Sequence, residues 1–156
     1  MRCNMPAVLI VAHAPLASAL KAVAEHVYAD CGHPLEALDV APGTGPDEVF
    51  DQARALMHRG GNAGETDWLV LTDVFGATPC NAAQRLADPL HVRVVAGVNV
   101  PMLWRTLCYA GESLDALALR AVNGAGQGVM QVTPNRPQNQ NATALARDPK
   151  HHHHQQ

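Results

Sequence analysis

Three residues stand where this chain can do chemistry. His13 follows the apolar run Ala7–Ala12 (AVLIVA) and immediately precedes Ala14-Pro15 and a helical pattern. Asp73 follows a second apolar run, Trp68–Thr72 (WLVLT), and opens the loop DVFGATPCN over residues 73–81. Thr78 lies in that loop, directly before Pro79. A neutral imidazole before a helix N-terminus is a nucleophile that needs no separate base. Free amides and the positive end of the helix macrodipole favour an anion at the same place. A carboxylate accepting from one ring nitrogen leaves the lone pair of the other facing outward. It also stabilises the cation formed when a phosphoryl group attaches, as the aspartate of a serine-protease triad does for its histidine.

Each residue also has an ordinary structural explanation. A histidine at a strand end can be a surface residue, and an aspartate there can cap loop amides. Thr-Pro is a common pairing of N-cap and first helical turn. Spacing alone therefore leaves the phosphoryl site and the structural reading both open. The other histidines are expected to be structural or exposed: His26 lies mid-helix, His33 in a Gly/Pro turn, His58 near a helix end and His91 at a strand start. No GxGxxG or GxxxxGK[ST] supports a nucleotide loop, and no G-x-S-x-G supports a hydrolase.

The elements that must position these residues are legible in the hydrophobic pattern. The continuous apolar run at 7–12 reads as a strand covered on both faces, and further short strands are read at 35–40, 68–72 and 92–96. Helical spacing follows each run: from Leu16, from Val49, over Pro79–Ala87, over Pro101–Tyr109 and over Ser113–Val122, with Ser113 as N-cap. Pro15, Pro46, Pro79 and Pro101 mark first helical turns. Strands alternating with helices predict a doubly wound α/β domain: a mainly parallel four-stranded sheet with helices on both faces. Such sheets work at the carboxyl ends of their strands, where His13 and Asp73 fall. Gly124, Gly126 and Gly128 are expected to end the last helix and act as a hinge before a short strand, Val129–Val132. From Thr133 a Pro/Asn/Gln-rich tail follows, expected to be disordered, so the domain is placed at 1–132 and the tail at 133–156. His151–His154, in that tail, are read as native or as a tag and belong to no site.

Composition narrows the class. Of 156 residues 47% are hydrophobic and 16% charged, which fits a compact domain rather than a disordered chain. The formal net charge of −3 argues against a nucleic-acid or anionic-membrane partner. No apolar run is long enough for a membrane span, and the N-terminal run leads into a helix instead of a signal cleavage site, so a cytoplasmic location is expected. The cysteines at 3, 31, 80 and 108 form no CxxC pair and read as free thiols; no metal and no cofactor is expected.

Three segments carry a resemblance: LIVAHAPLASAL (9–20), LVLTDVFGATPCNAA (69–83) and VAGVNVPML (95–103). From about Ala7 to Val132 the chain resembles the enzyme IIA component of the mannose family of the bacterial phosphoenolpyruvate-dependent sugar phosphotransferase system, type 4. The resemblance implies that His13 is the phosphoryl acceptor, Asp73 orients it and Thr78, where Ser is common, contacts the phosphate. It implies phospho-HPr as donor and a IIB component as acceptor, and a homodimer made by exchanging the strand Val129–Val132. The chain departs from the family in reading His13-Ala14 where histidine-glycine is frequent, and Phe75-Gly76-Ala77 where an aromatic-Gly-Gly loop is usual. A IIB domain is not expected after the tail. The alternative is a regulatory module, switched by His13 phosphorylation and acting on a target protein without sugar transport. A dihydroxyacetone-kinase phosphocarrier subunit fits GATPCNAA less well. A receiver domain phosphorylated on Asp73 lacks its acidic pair and its lysine.

Overall fold

A computed structural model of the chain describes residues 5–29, 32–61 and 66–134. The element order is β1 (Ala7–His13), α1 (Leu16–Val27), β2 (Leu35–Val40), α2 (Pro46–Gly60), β3 (Trp68–Thr72), α3 (Thr78–Gln84), β4 (Val92–Ala96), α4 (Val100–Cys108) and α5 (Leu114–Gln127). The four strands form one parallel sheet in the order β2-β1-β3-β4. Five helices cover it. Alternate strand residues feed two cores, because successive side chains point to opposite faces. Val8, Ile10, Leu69, Leu71 and Val95 pack against Leu20 of α1, Leu103 of α4 and Leu117 of α5. Leu9, Val11 and Val70 pack against Val49 and Ala53 of α2 and Ala82 and Ala83 of α3. β1 up to Ala12 and the whole of β3 are buried on both faces, which explains why neither stretch holds a charged residue.

The order β2-β1-β3-β4 places a topological switch point between β1 and β3. The chain leaving β1 enters α1 on one face, and the chain leaving β3 enters α3 on the other. The loops separate there and leave a crevice at the carboxyl ends of the strands. Pro46, Pro79 and Pro101 fall in first helical turns as expected, and Pro15 stands one residue earlier, at the N-cap of α1. Asn99 caps α4 by accepting from the Met102 amide at 2.8 Å, and Ser113 caps α5 by accepting from the Ala116 amide at 3.4 Å.

One expectation fails at the C-terminal end, and a second is not met within a single chain. The last helix does not stop at its glycines but runs through Gly124 and Gly126 to Gln127. Gly124 is buried against α4, and a Cβ there would stand 2.5 Å from Cγ of Arg105 and 2.8 Å from its Cβ. Gly128 meets the Pro101 ring in the same way. These glycines admit a neighbouring helix; they are not a hinge. Val129–Val132 forms no strand within the chain, and Val129, Met130 and Val132 are exposed. Of the expected tail only Thr133 and Pro134 are described; the rest, with His151–His154, lies outside the described residues, as do Cys3 and Cys31. Cys80 is buried, and the exposed Cys108 lies 2.9 Å from the Tyr28 hydroxyl. Among the described residues no helix is long and apolar enough to cross a membrane.

Candidate functional site

His13 is the last residue of β1, and Asp73 follows the end of β3 directly. These strands are neighbours, with Val11 opposite Thr72, so the two side chains meet across the switch-point crevice. His13 Nδ1 lies 2.6 Å from Asp73 Oδ2. The backbone amide of His13 donates to the same oxygen at 2.9 Å, and the Val74 amide donates to Asp73 Oδ1 at 2.8 Å. Three N–H groups thus hold one carboxylate.

The electrostatics follow from that count. Burial alone pushes the Asp73 carboxyl upward; the amide and ring hydrogen bonds from His13 and the amide of Val74 outweigh it, and the net shift is below the ordinary carboxylate value. An ionised carboxylate accepts only, so Nδ1 of a neutral His13 must carry the proton and donate it. Nε2 then holds the lone pair. The Asp73 side chain is 12% exposed whereas that of His13 is 54% exposed, so the anchoring group is covered and the ring it orients reaches solvent.

Thr78 begins α3, five residues beyond Asp73, and is half-buried. It shares the loop with Asp73, although among the described residues no hydrogen bond joins it to His13 or Asp73. Gly76 shapes this loop at φ +88°, a conformation that strains any residue with a Cβ. Asn81 Nδ2 donates to the Gly76 carbonyl at 3.2 Å and ties the turn to α3.

Asp39 escaped sequence reasoning. From β2 its Oδ1 accepts from the Ser18 amide in the first turn of α1 at 3.0 Å. One of the free amides expected behind His13 is therefore already occupied by a carboxylate. Its only sequence signal is an acid near the end of a strand, which many strands show. The pairing of His91 with Asp67, Nδ1 to Oδ1 at 2.9 Å, was equally invisible. It depends on the register that sets Trp68 opposite Val92. His33 is kept neutral more readily than usual, since burial lowers its pKa. Among the described residues no group of three or more His, Cys, Asp or Glu side chains is arranged to hold a metal ion.

Apolar side chains surround the exposed imidazole end of the sheet. Val74 and Phe75 in the β3–α3 loop are 52% and 75% exposed, and Leu16 and Val100, at the starts of α1 and α4, are also exposed.

Comparison with known proteins gives this geometry its context. The family described as EIIA-man, PTS system fructose IIA component, matches residues 7–122. The mannose-specific EIIAB component of the phosphotransferase system of Escherichia coli K12 is 34% identical over 95 residues, which cover 59% of this chain and 29% of that protein. The chain thus spans under a third of that relative. The sorbose-specific EIIA component of Lacticaseibacillus casei is 32% identical over 99 residues, covering 62% of this chain and 67% of the relative. In fold, the mannose/sorbose-specific IIA subunit from Enterococcus faecalis superposes with a TM-score of 0.73 at 23% identity, covering 85% of this chain and 98% of that one. With the family match spanning both the β1 histidine and the β3 aspartate, the chain belongs to the EIIA-man family of phosphotransferase-system IIA components.

Proposed function

We propose that this chain is a cytoplasmic phosphocarrier whose Nε2 of His13 takes a phosphoryl group from an HPr-type phosphohistidine donor and hands it to a IIB-type acceptor. The Nε2–P bond forms as the donor's P–N bond breaks; the bond's electron pair stays on the donor nitrogen, so a donor ring protonated at its other nitrogen leaves as neutral imidazole while the positive charge passes to the His13 ring. Asp73 holds Nδ1 protonated before transfer and balances the charge on the ring afterwards. Thr78 offers a hydroxyl to the phosphoryl oxygens from the start of α3. The observation that carries this reading is the 2.6 Å contact between Asp73 Oδ2 and Nδ1 of an otherwise exposed imidazole at the switch point.

The apolar rim of Leu16, Val74, Phe75 and Val100 suits a protein partner better than a free sugar phosphate. That rim serves equally a IIB acceptor or a regulatory target recognising the phosphorylated site. The chain acts as a homodimer in which Val129–Val132 is exchanged. Support comes from the position of β4 as the last strand of the sheet, where among the described residues only Val92 is engaged on the outer side, by Asp88, and from the exposed apolar segment available to pair there.

The test is incubation with phosphoenolpyruvate, enzyme I and HPr, comparing wild type with His13→Ala. Wild type should acquire one acid-labile, base-stable phosphate mapped to His13 by mass spectrometry, and the variant none. A phosphate on Asp73, Thr78 or another histidine overturns the assignment. Adding IIB chains separates the outputs: loss of label to IIB supports transfer, and retention with phosphate-dependent capture of a target protein supports regulation.

A further inference from the structure

A second concave site lies at the opposite end of the sheet from His13. It is a cleft of about 350 Å³ between the C-terminal half of α2 and the segment after α3, against the amino ends of β3 and β4. Its floor is apolar. Trp68, Leu86 and Val92 are all at least nine-tenths buried there, and Met57 closes one side. The volume falls in the range of pockets for small organic molecules.

Charge is concentrated on one wall. The Phe50 ring carries two guanidiniums, Arg85 with Cζ 4.5 Å from the ring centroid and Arg54 at 5.9 Å. Both arginines line the cleft. Arg85 Nη1 donates to Asp47 at 2.6 Å, which leaves the rest of its donor fork unused by that pair. Among the described residues no carboxylate pairs with Arg54. Two guanidiniums drawn to one ring repel each other, and an anion set between them turns that repulsion into attraction. The acid at the cleft is already engaged: Asp88 Oδ1 accepts from the amides of Leu90 and His91 at 2.8 and 2.9 Å.

The cleft also holds a histidine with a fixed tautomer. His91 Nδ1 lies 2.9 Å from Asp67 Oδ1, so in the neutral ring Nδ1 donates and Nε2 remains an acceptor. The dyad is built by the sheet, since Asp67 and His91 each stand one residue before paired strand starts and the Trp68 amide donates to the His91 carbonyl at 2.8 Å.

From these features we propose that the cleft binds a small organic anion, a carboxylate or phosphate monoester on an apolar body of about one ring. The body rests on Trp68, Leu86 and Val92. The anionic group is held by Arg54 and Arg85. This site is separate from His13, and its chemistry needs neither the donor nor the acceptor of the phosphoryl group.

Titration of the full-length chain with phenylacetate and phenyl phosphate, followed by NMR, tests it. Both should shift the Trp68 indole and the His91 and Val92 amides saturably. Neutral phenylacetamide and inorganic phosphate should bind roughly tenfold more weakly or less, since each lacks one half of the recognition. Arg54→Gln and Arg85→Gln should each weaken phenylacetate roughly tenfold, while His13→Ala leaves it unchanged. Arg54 is exposed, so its replacement leaves the core intact. The proposal is overturned if phenylacetamide binds as well as phenylacetate, if Arg54→Gln binds like wild type, or if shifts are absent or confined to His13 and residues 73–78.

Discussion

Replacing Asp73 by Asn asks how much of the His13 chemistry depends on one carboxylate. In the wild type three N–H groups converge on two oxygens: Nδ1 and the amide of His13 on Oδ2, and the Val74 amide on Oδ1. An asparagine has one oxygen and one NH₂ in the same footprint. With its oxygen toward His13 it keeps two acceptor contacts, loses its charge, and sets its NH₂ against the Val74 amide. With its NH₂ toward His13 it donates to Nδ1, moves the ring proton to Nε2 and removes the nucleophile. The first orientation loses less and should prevail. It still removes the charge that, on the proposed reading, stabilises the phosphorylated, cationic ring. Losing a charge-assisted hydrogen bond of this kind costs about 1.5–3 kcal/mol. At ~1.4 kcal/mol per decade, phosphotransfer should slow by roughly ten- to a hundredfold. Initial rates of label transfer from phospho-HPr measure this, with circular dichroism confirming the fold. Nitrogen-15 NMR of the imidazole reads the tautomer independently: Nδ1–H in the wild type, with an Nε2–H fraction in the variant. Wild-type rates in a folded Asp73→Asn chain, or an Nε2–H ring in the wild type, would refute the reasoning.

Thr78→Ala should slow transfer less than Asp73→Asn in the same assay, because among the described residues no hydrogen bond from Thr78 already holds His13 or Asp73. For pH, the Asp73 carboxyl lies below its ordinary value in the folded chain, so its stabilisation is complete above the unfolded value near ~3.9 and is lost as pH falls through the lower folded value. Between about pH 5 and pH 2 wild type should therefore lose more stability in urea titrations than Asp73→Asn, and parallel losses would count against the hydrogen-bonded carboxylate. Gly124→Ala and Gly126→Ala should move stability in opposite directions. A Cβ at 124 meets Arg105, and the overpacking, typically ~1–3 kcal/mol, outweighs the helix propensity gained, whereas one at 126 meets nothing within 4 Å and should stabilise by about 0.5 kcal/mol. Truncation after Gly128 should convert a dimer seen by light scattering into monomer or aggregate, while removal of residues 136–156 leaves it intact; a full-length monomer at micromolar concentration refutes the exchange.

What the sequence shows and hides follows the range of each signal. β1 and β3 were legible because burial on both faces leaves no charged residue within Ala7–Ala12 or Trp68–Thr72. His13 and Asp73 were legible as strand-end residues of the right chemistry, and the strand-end rule brought them to one end of the sheet. Their contact needed β1 beside β3, which the alternation of strands and helices allows but does not dictate. Asp39 on Ser18 and Asp67 on His91 were not legible for the same reason. Each is a cross-strand or strand-to-helix contact fixed by register, and nothing local distinguishes these aspartates from the exposed Asp47 or Asp115.

The glycines after Val122 show a different limit. A glycine lacking a Cβ does two opposite things: it frees the backbone, or it lets another element approach. Composition reads the same in both cases. In α5 the second use wins at Gly124, where the neighbour is the stem of Arg105, and Asn99 draws the helices together by donating from Nδ2 to the Ala125 carbonyl at 3.3 Å. That contact ties the end of α5 to the cap of α4, at the carboxyl end of the sheet where His13 stands. The segment from Val129 therefore leaves a fixed point, not a swivel. If it pairs with a second copy, the direction of its departure is set by the α4–α5 packing, and Gly124→Ala should weaken dimerisation as well as folding while Gly126→Ala weakens neither.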